Sequence, residues 1–475
     1  MVPVGTKSDR NSDRAILQFR HHLPWEASIL GNFSASGLLQ LLERLRASFW
    51  FLPSVMAAGA IVLSFVMVEV DVWIGIDLRT KPGWFLTFGS EGARAILGAI
   101  ASSMITVAGL TFSLTMLTLQ LASSQFGPRL LRSFLRDRGN QIVLGTFIST
   151  FVYCLLVLRT VRGTDEASFV PHLSVATGFA LAIASLAVLI FFIHHTAHAI
   201  RLESVLSGLA AETRDAIDRL YPARIGEGAS RAPGYARSAA AQLPDFDRNG
   251  QAVPAGQGGY VQAMDDEALL AVAARHGVVV RVEARPGCFV CEGDALLTVA
   301  PLVQVSDALV DELQAAVALG EDRTPRQDLA FSLWRIVEIA QRALSPGIND
   351  PTTACYCIDR LEEALCHLAG RETPSAIRCD KTGAARVVAR GRGLDELALP
   401  IFRAVARYGV GDADVVRRLV SAMEAVAARA PDERATLLEL VRAIRAEARA
   451  RAAIFDAADI DASAGPRAQG RDRGD

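Results

Sequence analysis

Four stretches of this 475-residue chain contain no Asp, Glu, Lys or Arg: Ala47 to Val68, Ala95 to Pro128, Asn140 to Leu158 and Ala167 to Ile200. Each can supply the ~20 apolar residues that carry a helix across a bilayer at ~1.5 Å per residue. Inside lipid no water satisfies backbone amides and carbonyls, so uninterrupted helices are the expected solution, and nothing in the sequence alternates like a barrel strand. The lipid bilayer is therefore the first partner the sequence implies.

The formal charge of -2 averages over flanks that differ sharply. Arg44 and Arg46 precede the first span, and the connector between spans two and three holds Arg129, Arg132, Arg136 and Arg138 against Asp137 alone. The other connectors are balanced or acidic. The positive-inside rule then predicts both termini and the basic connector in the cytoplasm. Trp50 and Trp73, at either end of the first span, are placed like interface anchors, although core aromatics would look the same. Leu38, Leu39, Leu41, Leu42 and Leu45, set among Glu43 and Arg44, predict an amphipathic helix at the inner surface. No short apolar core followed by a small-residue cleavage site marks a secretory signal peptide.

The expected fold class is mainly α, with a four-helix transmembrane region followed by a cytoplasmic domain that holds a small β module and a helical bundle. The expected divisions are a cytoplasmic N-terminal segment (1–48), the spans (49–200), a helix and linker (201–258), the β module (259–301), the helical domain (302–455) and a disordered tail (456–475). In the module, strands are expected at Gly259–Ala263, Val278–Glu283 and Leu296–Ala300, with a helix at Asp265–Arg275. Six helices should follow: Ser306–Leu319, Gln327–Leu344, Pro351–Leu368, Leu394–Tyr408, Asp412–Ala428 and Pro431–Ala453. Seven cysteines without framework spacing should remain thiols in a reducing compartment.

The second span is unusually polar for an uncharged helix. Ser102, Thr106, Thr111, Ser113, Thr115, Thr118 and Gln120 place hydroxyls and an amide along it, and Gly98, Ser102 and Thr106, like Gly109 and Ser113, fall at four-residue spacing. Such small residues let helices approach closely, which makes tight packing the favoured reading; a polar helix lining a water-filled path in an oligomer is the alternative. No ionisable residue lies near a bilayer midplane, which argues against a proton-coupled carrier. His194 and His198 are one turn apart, but no carboxylate or Cys completes a metal site, and a plain interfacial cluster is favoured.

In the C-terminal half, Cys288 and Cys291 have neither the second pair of a zinc site nor the strand-to-helix context of a redox motif. The surrounding segment, with Pro286-Gly287, Val290, Gly293-Asp294 and Leu296, resembles the turn-and-strand pattern of biotinyl and lipoyl hammerhead modules. Those carriers need a lysine that is missing here, so the resemblance implies a small β scaffold and no cofactor. The strongest soluble motif is Arg342-Ala-Leu-Ser-Pro-Gly-Ile-Asn-Asp-Pro-Thr-Thr-Ala354. Asp350 followed by Pro351 reads as an N-cap with proline at the first helical position. It can be a well-built connector, which is the favoured reading. Arg335, Glu338 and Arg342 nevertheless share a helix face running down to the loop of Ser345, Gly347, Asn349 and Asp350, and free amides beside two arginines would suit a small anion or a protein partner.

Two runs, Ser113 to Leu131 and Arg342 to Ala354, resemble signature segments of a bacterial family of predicted inner-membrane proteins catalogued only as a domain of unknown function. The likeness covers about residues 40 to 425. It implies a multi-pass bacterial inner-membrane protein and brings no activity. Phosphate loops, dinucleotide fingerprints, zincin motifs and nucleophile elbows are missing, so no enzyme is expected. No basic stripe with interleaved aromatics supports nucleic-acid binding. Two classes remain: a homo-oligomeric channel with a cytoplasmic assembly or gating domain, and a membrane-anchored interaction or sensory module.

Overall fold

The computed structural model describes residues 49–74, 89–126, 138–164, 167–199, 201–221, 243–302 and 305–451. The expected amphipathic helix before residue 49, the connector residues Arg129, Arg132 and Arg136, most of the linker and the tail after residue 451 lie outside the described residues. The chain divides into two compact units, residues 1–119 with 132–195 and residues 120–131 with 196–475.

The first unit contains the helices expected from the charge-free stretches, each long and apolar enough to cross a membrane. They are α1 (Phe51–Ile74), α2 (Ser90–Phe126), α3 (Arg138–Thr160) and α4 (His172–Ala199); a hairpin of β1 (Arg162–Thr164) and β2 (Ala167–Phe169) joins the last two. Ala167 to Phe169 thus forms a strand where a helix start was expected. α3 is the most enclosed span, and its Val143, Phe147, Tyr153 and Val157 build the core with Leu97 and Ala101 of α2 and Val175 and Phe192 of α4. The outer faces carry exposed Phe65, Leu110 and Ile190, as lipid requires.

Several polar groups inside this unit pair across helices, while Asn140 Oδ1 and His172 Nδ1 are buried without a hydrogen-bond partner among the described residues. Thr150 and Ser185 hydroxyls meet at 3.0 Å between α3 and α4, and the Tyr153 hydroxyl donates to the Ser174 carbonyl at 3.0 Å. At the end of α1, Asp71 accepts from the backbone N–H groups of Leu173 and Ser174 at 2.9 and 2.8 Å, capping α4 from another helix. Orphan amides at a helix start need such a partner, and an acid there also complements the dipole.

In the second unit α5 (Leu202–Leu220) is followed by a short helix α6 (Phe246–Asn249), β3 (Gln251–Pro254), β4 (Gly259–Met264), α7 (Asp266–His276), β5 (Val279–Val282), β6 (Phe289–Val290) and β7 (Ala295–Ala300). The chain continues through α8 (Asp307–Ala315), β8 (Val317–Gly320), α9 (Leu329–Ala343), α10 (Pro351–Ala369), β9 (Ile377–Cys379) and β10 (Ala385–Val388). It ends in α11 (Leu394–Gly409), α12 (Ala413–Arg429) and α13 (Arg434–Arg451). Local sequence chemistry sets many of these starts: Asp265, Ser306, Asp328, Asp350 and Asp412 each accept a backbone N–H at their helix N-terminus.

The strands form a five-stranded sheet ordered β3-β7-β5-β10-β9 and a three-stranded sheet ordered β6-β4-β8. Their shared core contains Val253, Val261, Leu269, Val280, Leu297, Leu309 and Leu313. Strand structure therefore reaches beyond the expected limits of 259–301. Gln251–Pro254, inside the expected linker, pairs with β7, and Val317–Gly320, expected as helix, pairs with β4. β10, which lies between two expected helices in the domain expected to be helical, runs parallel to β5. Such four-residue strands gain their hydrogen bonds from distant partners, and their local patterns are too short to show a period. α5, too, is no mere exit helix: it packs on α9 and α10 and buries Leu206, Leu209 and Ile217.

Candidate functional site

The polar residues of α2 do not share one face. Thr111 and Thr118 are buried, and Thr115 is half-buried with them, whereas Ser102, Thr106, Gly109, Ser113 and Gln120 are exposed on the opposite side. Ser102, Thr106, Gly109 and Ser113 advance by four, three and four residues and so share one side at 3.6 residues per turn; Gln120 returns to that side seven residues on, past exposed Met116 and Leu117. Thr106 and Ser113 donate to the carbonyls of Ser102 and Gly109 at 2.8 and 2.9 Å, while Thr115 and Thr118 do the same to Thr111 and Leu114. This back-bonding to the preceding turn leaves the hydroxyl oxygens free to accept a hydrogen bond.

A Cβ built at Gly98 or Gly109 meets no atom of another element within 4 Å among the described residues, so no close helix approach is seen at these two glycines. The close approaches lie elsewhere. A Cβ at Gly145 would stand 2.5 Å from Met56 Sδ and 3.2 Å from Pro53 Cα, and one at Gly178 would stand 3.1 Å from Leu97 Cδ2.

The face expected to bind an anion is also divided. Arg335 is 4% exposed and donates from Nη1 to Glu212 Oε2 at 2.8 Å, joining α9 to α5. This corrects the expectation of an open arginine face: Arg335 is a buried interhelix tie, and Glu338 likewise has interactions of its own. Arg342 is half-buried beside the loop. There Ser345 donates its hydroxyl to the Arg342 carbonyl at 2.7 Å, and its own carbonyl accepts from Ile348 and Asn349 at 3.0 and 2.9 Å. Asn349 adopts φ 48°, a left-handed conformation that Asn tolerates, and Gly347 faces open space.

Asp350 caps α10 as expected, accepting from Thr353 N at 3.0 Å and from the Thr353 hydroxyl at 2.6 Å. These bonds hold its carboxyl below the usual carboxylate range. The loop thus uses its own polar groups to build the turn, as a connector does.

The arginines that do converge on open space are others. A cleft of about 190 Å³ opens within the second unit where the Pro286-Gly287 turn, the start of α9 and residues 390–392 meet. Asp328, with 2% of its side chain exposed, organises it. Its Oδ2 accepts from Arg323 Nε and Nη2 at 2.9 and 2.5 Å, its Oδ1 accepts from Phe331 N at 3.2 Å, and Arg392 Nη1 stands 3.6 Å away. Gly287 has φ 90°, and a Cβ there would fall 2.0 Å from Asp328 Oδ2, so only glycine allows this turn against this carboxylate.

Arg285 and Arg390 share Glu396, at 3.3 and 3.7 Å, and Arg378 donates to the Ser375 carbonyl. The floor is apolar, with Leu220, Met264 and Leu329. Tyr221 is buried at its edge and donates to the Arg392 carbonyl at 2.9 Å, which fixes the 390–392 segment. Burial pushes its phenol up, against the opposing effect of Arg392. Desolvation in the cleft likewise raises the Asp266 carboxyl, partly offset by Arg378. No local pattern marks these arginines, which come from four separated segments, at 285, 323, 378 and 390–392; Pro286-Gly287 is the one sequence signal pointing here.

The Pro286-Gly287 and Gly293-Asp294 turns do flank a short strand, with Asp294 Oδ2 accepting from Cys291 N at 2.7 Å. Cys288 and Cys291 are both free thiols.

Comparison with known proteins gives relatives without an assigned activity. An uncharacterized protein of Mycobacterium bovis is 33% identical over 414 residues, covering 82% of this chain and 74% of its own length. An uncharacterized protein of Mycobacterium tuberculosis matches with the same identity and the same coverage of both chains. No solved structure matches. Residues 46–425, which include all four spans, the cleft and the Arg342 to Ala354 motif, match the family described as "Predicted membrane protein (DUF2254)". The chain belongs to that family of predicted membrane proteins.

Proposed function

We propose that the protein is a homo-oligomeric conductance protein of the bacterial inner membrane, with both termini cytoplasmic and the second unit serving assembly or gating. The observation that carries this reading is the outward stripe Ser102, Thr106, Gly109, Ser113 and Gln120 on α2. From Ser102 to Ser113 the stripe carries hydroxyls and little bulk, which suits lipid tails poorly and a second copy or water well. A path inside one four-helix subunit would be narrow and is already filled by Phe147, Tyr153 and Leu97, so the path needs several subunits. Thr111, Thr115 and Thr118 have a packing role in this reading, and the protein performs no catalysis.

Cysteines placed singly at Ser102, Thr106, Ser113 and Thr111 test it in planar bilayers. The outward three should react with hydrophilic thiol reagents and change conductance, and Thr111→Cys should not. Uniform protection with no conductance would remove the proposal. The orientation has its own check: a cysteine at Ser133 should be protected in intact cells, and one at Thr164 should react. A second reading, a membrane-anchored module that senses a small anion, is favoured by the arginine cleft.

A further inference from the structure

We infer that the cleft between the Pro286-Gly287 turn and the start of α9 binds a phosphate monoester, as a dianion carried on a small apolar body. The inference rests on the second unit alone and stands whether or not the spans conduct. Charge comes first. Five guanidinium groups (Arg285, Arg323, Arg378, Arg390, Arg392) gather around three carboxylates (Asp266, Asp328, Glu396), an excess of two positive charges. Arg378 forms no ion pair among the described residues, and its donation to the Ser375 carbonyl leaves other guanidinium N–H groups for a ligand. A phosphate monoester carries close to two negative charges at neutral pH and offers three acceptor oxygens, which the planar fork of arginine matches in pairs.

α7 and α9 both begin at the cleft, Asp266 and Leu329 being their first residues, with Asp265 and Asp328 capping them, so the cationic character of the site comes from the arginines. Pairing leaves some of these arginines preorganised. Asp328 holds Arg323 and stands beside Arg392, and Glu396 holds Arg285, so these side chains have less entropy to lose on binding, while exposed Arg390 can close over a ligand. The cleft has room for a phosphoryl group and a short apolar or aromatic segment against the Leu220, Met264 and Leu329 floor.

Phenyl phosphate is the direct probe, titrated calorimetrically into the full chain purified in lipid-free detergent at constant ionic strength. Saturable binding is expected, at least about tenfold tighter than for inorganic phosphate, because only the ester reaches the apolar floor. Affinity should fall as the pH drops below ~6, where the monoester loses its second charge. Arg378→Gln should weaken binding about tenfold or more. Arg390→Gln, at a side chain 79% exposed and thus harmless to folding, should weaken it measurably. Arg214→Gln, in a surface pair with Glu363, should change nothing.

Displacement of phenyl phosphate by dioctanoyl phosphatidic acid would assign the site to a lipid headgroup; failure to displace it would assign the site to a soluble phosphate ester. Absence of saturable binding to the folded protein, or binding indifferent to both Arg378→Gln and Arg390→Gln, would overturn the inference.

Discussion

The tie between Arg335 and Glu212 is asymmetric, and that asymmetry can be measured. Arg335 has 4% of its side chain exposed, while Glu212 keeps 39%. Glu212→Gln would strand a guanidinium in the helix bundle, and removing one partner of a buried pair costs ~3–5 kcal/mol. Water on the Glu212 side and the further contacts of Arg335 reduce this, so the expected loss is about 2–3 kcal/mol. Arg335→Leu instead deletes the buried charge and leaves Glu212 to hydrate. A packed apolar replacement of a buried ion costs little, so a change within about 1 kcal/mol is expected. At ~2–4 °C per kcal/mol for a unit of this size, Glu212→Gln should lower the unfolding midpoint by about 5–10 °C, and Arg335→Leu by no more than about 4 °C.

Trp334 adjoins Arg335, so its fluorescence in a background with Trp25, Trp50, Trp73 and Trp84 replaced by Phe reads thermal unfolding of the second unit. Equal losses, or a larger loss for Arg335→Leu, would refute the desolvation argument and mean that the arginine's packing and hydrogen bonds dominate.

Asp350→Ala should cost about 1 kcal/mol in urea unfolding, the usual worth of an N-cap, with Asp350→Ser retaining most of it. Asp380, held far below the usual carboxylate range by the Thr382 hydroxyl and Arg386, gives a pH test. Its folded-state pKa is depressed, so its contribution is complete above the unfolded value near ~3.9 and is lost as pH falls toward the folded one; Asp380→Asn should flatten the unfolding midpoint between about pH 4 and pH 2. Gly145→Val should destabilise the isolated subunit in detergent, because its Cβ meets the Pro53 backbone at 3.2 Å. Gly109→Leu, facing open space, should leave the subunit folded yet reduce the oligomer seen by light scattering; an unchanged oligomer would argue against assembly through α2.

The spans were legible because a run of ~20 residues without charge is sufficient by itself: the bilayer imposes the constraint residue by residue, with no partner to identify. Asp350 was legible for a related reason, since a cap forms from its own next three residues. What escaped were features that exist only between distant segments. β10 begins at Ala385 and lies parallel to β5, whose first residue is Val279, and neither run betrays the other. Gly109 and Gly145 show the same limit within the spans. The first forms a small-residue pair with Ser113, and a Cβ built there would meet no atom of the described residues within 4 Å, while the second forms the same kind of pair with Ser149 and a Cβ there would press on α1.

Arg335 and Arg378 carry the argument one step further, because the chemistry of the two side chains is identical. A helix face with arginines at regular spacing invites an anion-binding reading, yet regular spacing on an amphipathic helix is also what drives a residue into the bundle. Arg335, between buried Ser332, Leu333 and Ile336, follows the apolar period of α9, so its charge had to be matched from within the protein, and Glu212 does so. Arg378 sits on a three-residue edge strand that offers no periodic face, and although Asp266 lines the same cleft, Arg378 forms no ion pair among the described residues. An arginine is available to a ligand where the fold brings cations together faster than it supplies anions. That condition is met at the meeting of residues 285, 378 and 390–392, and not on the helix whose sequence advertised it.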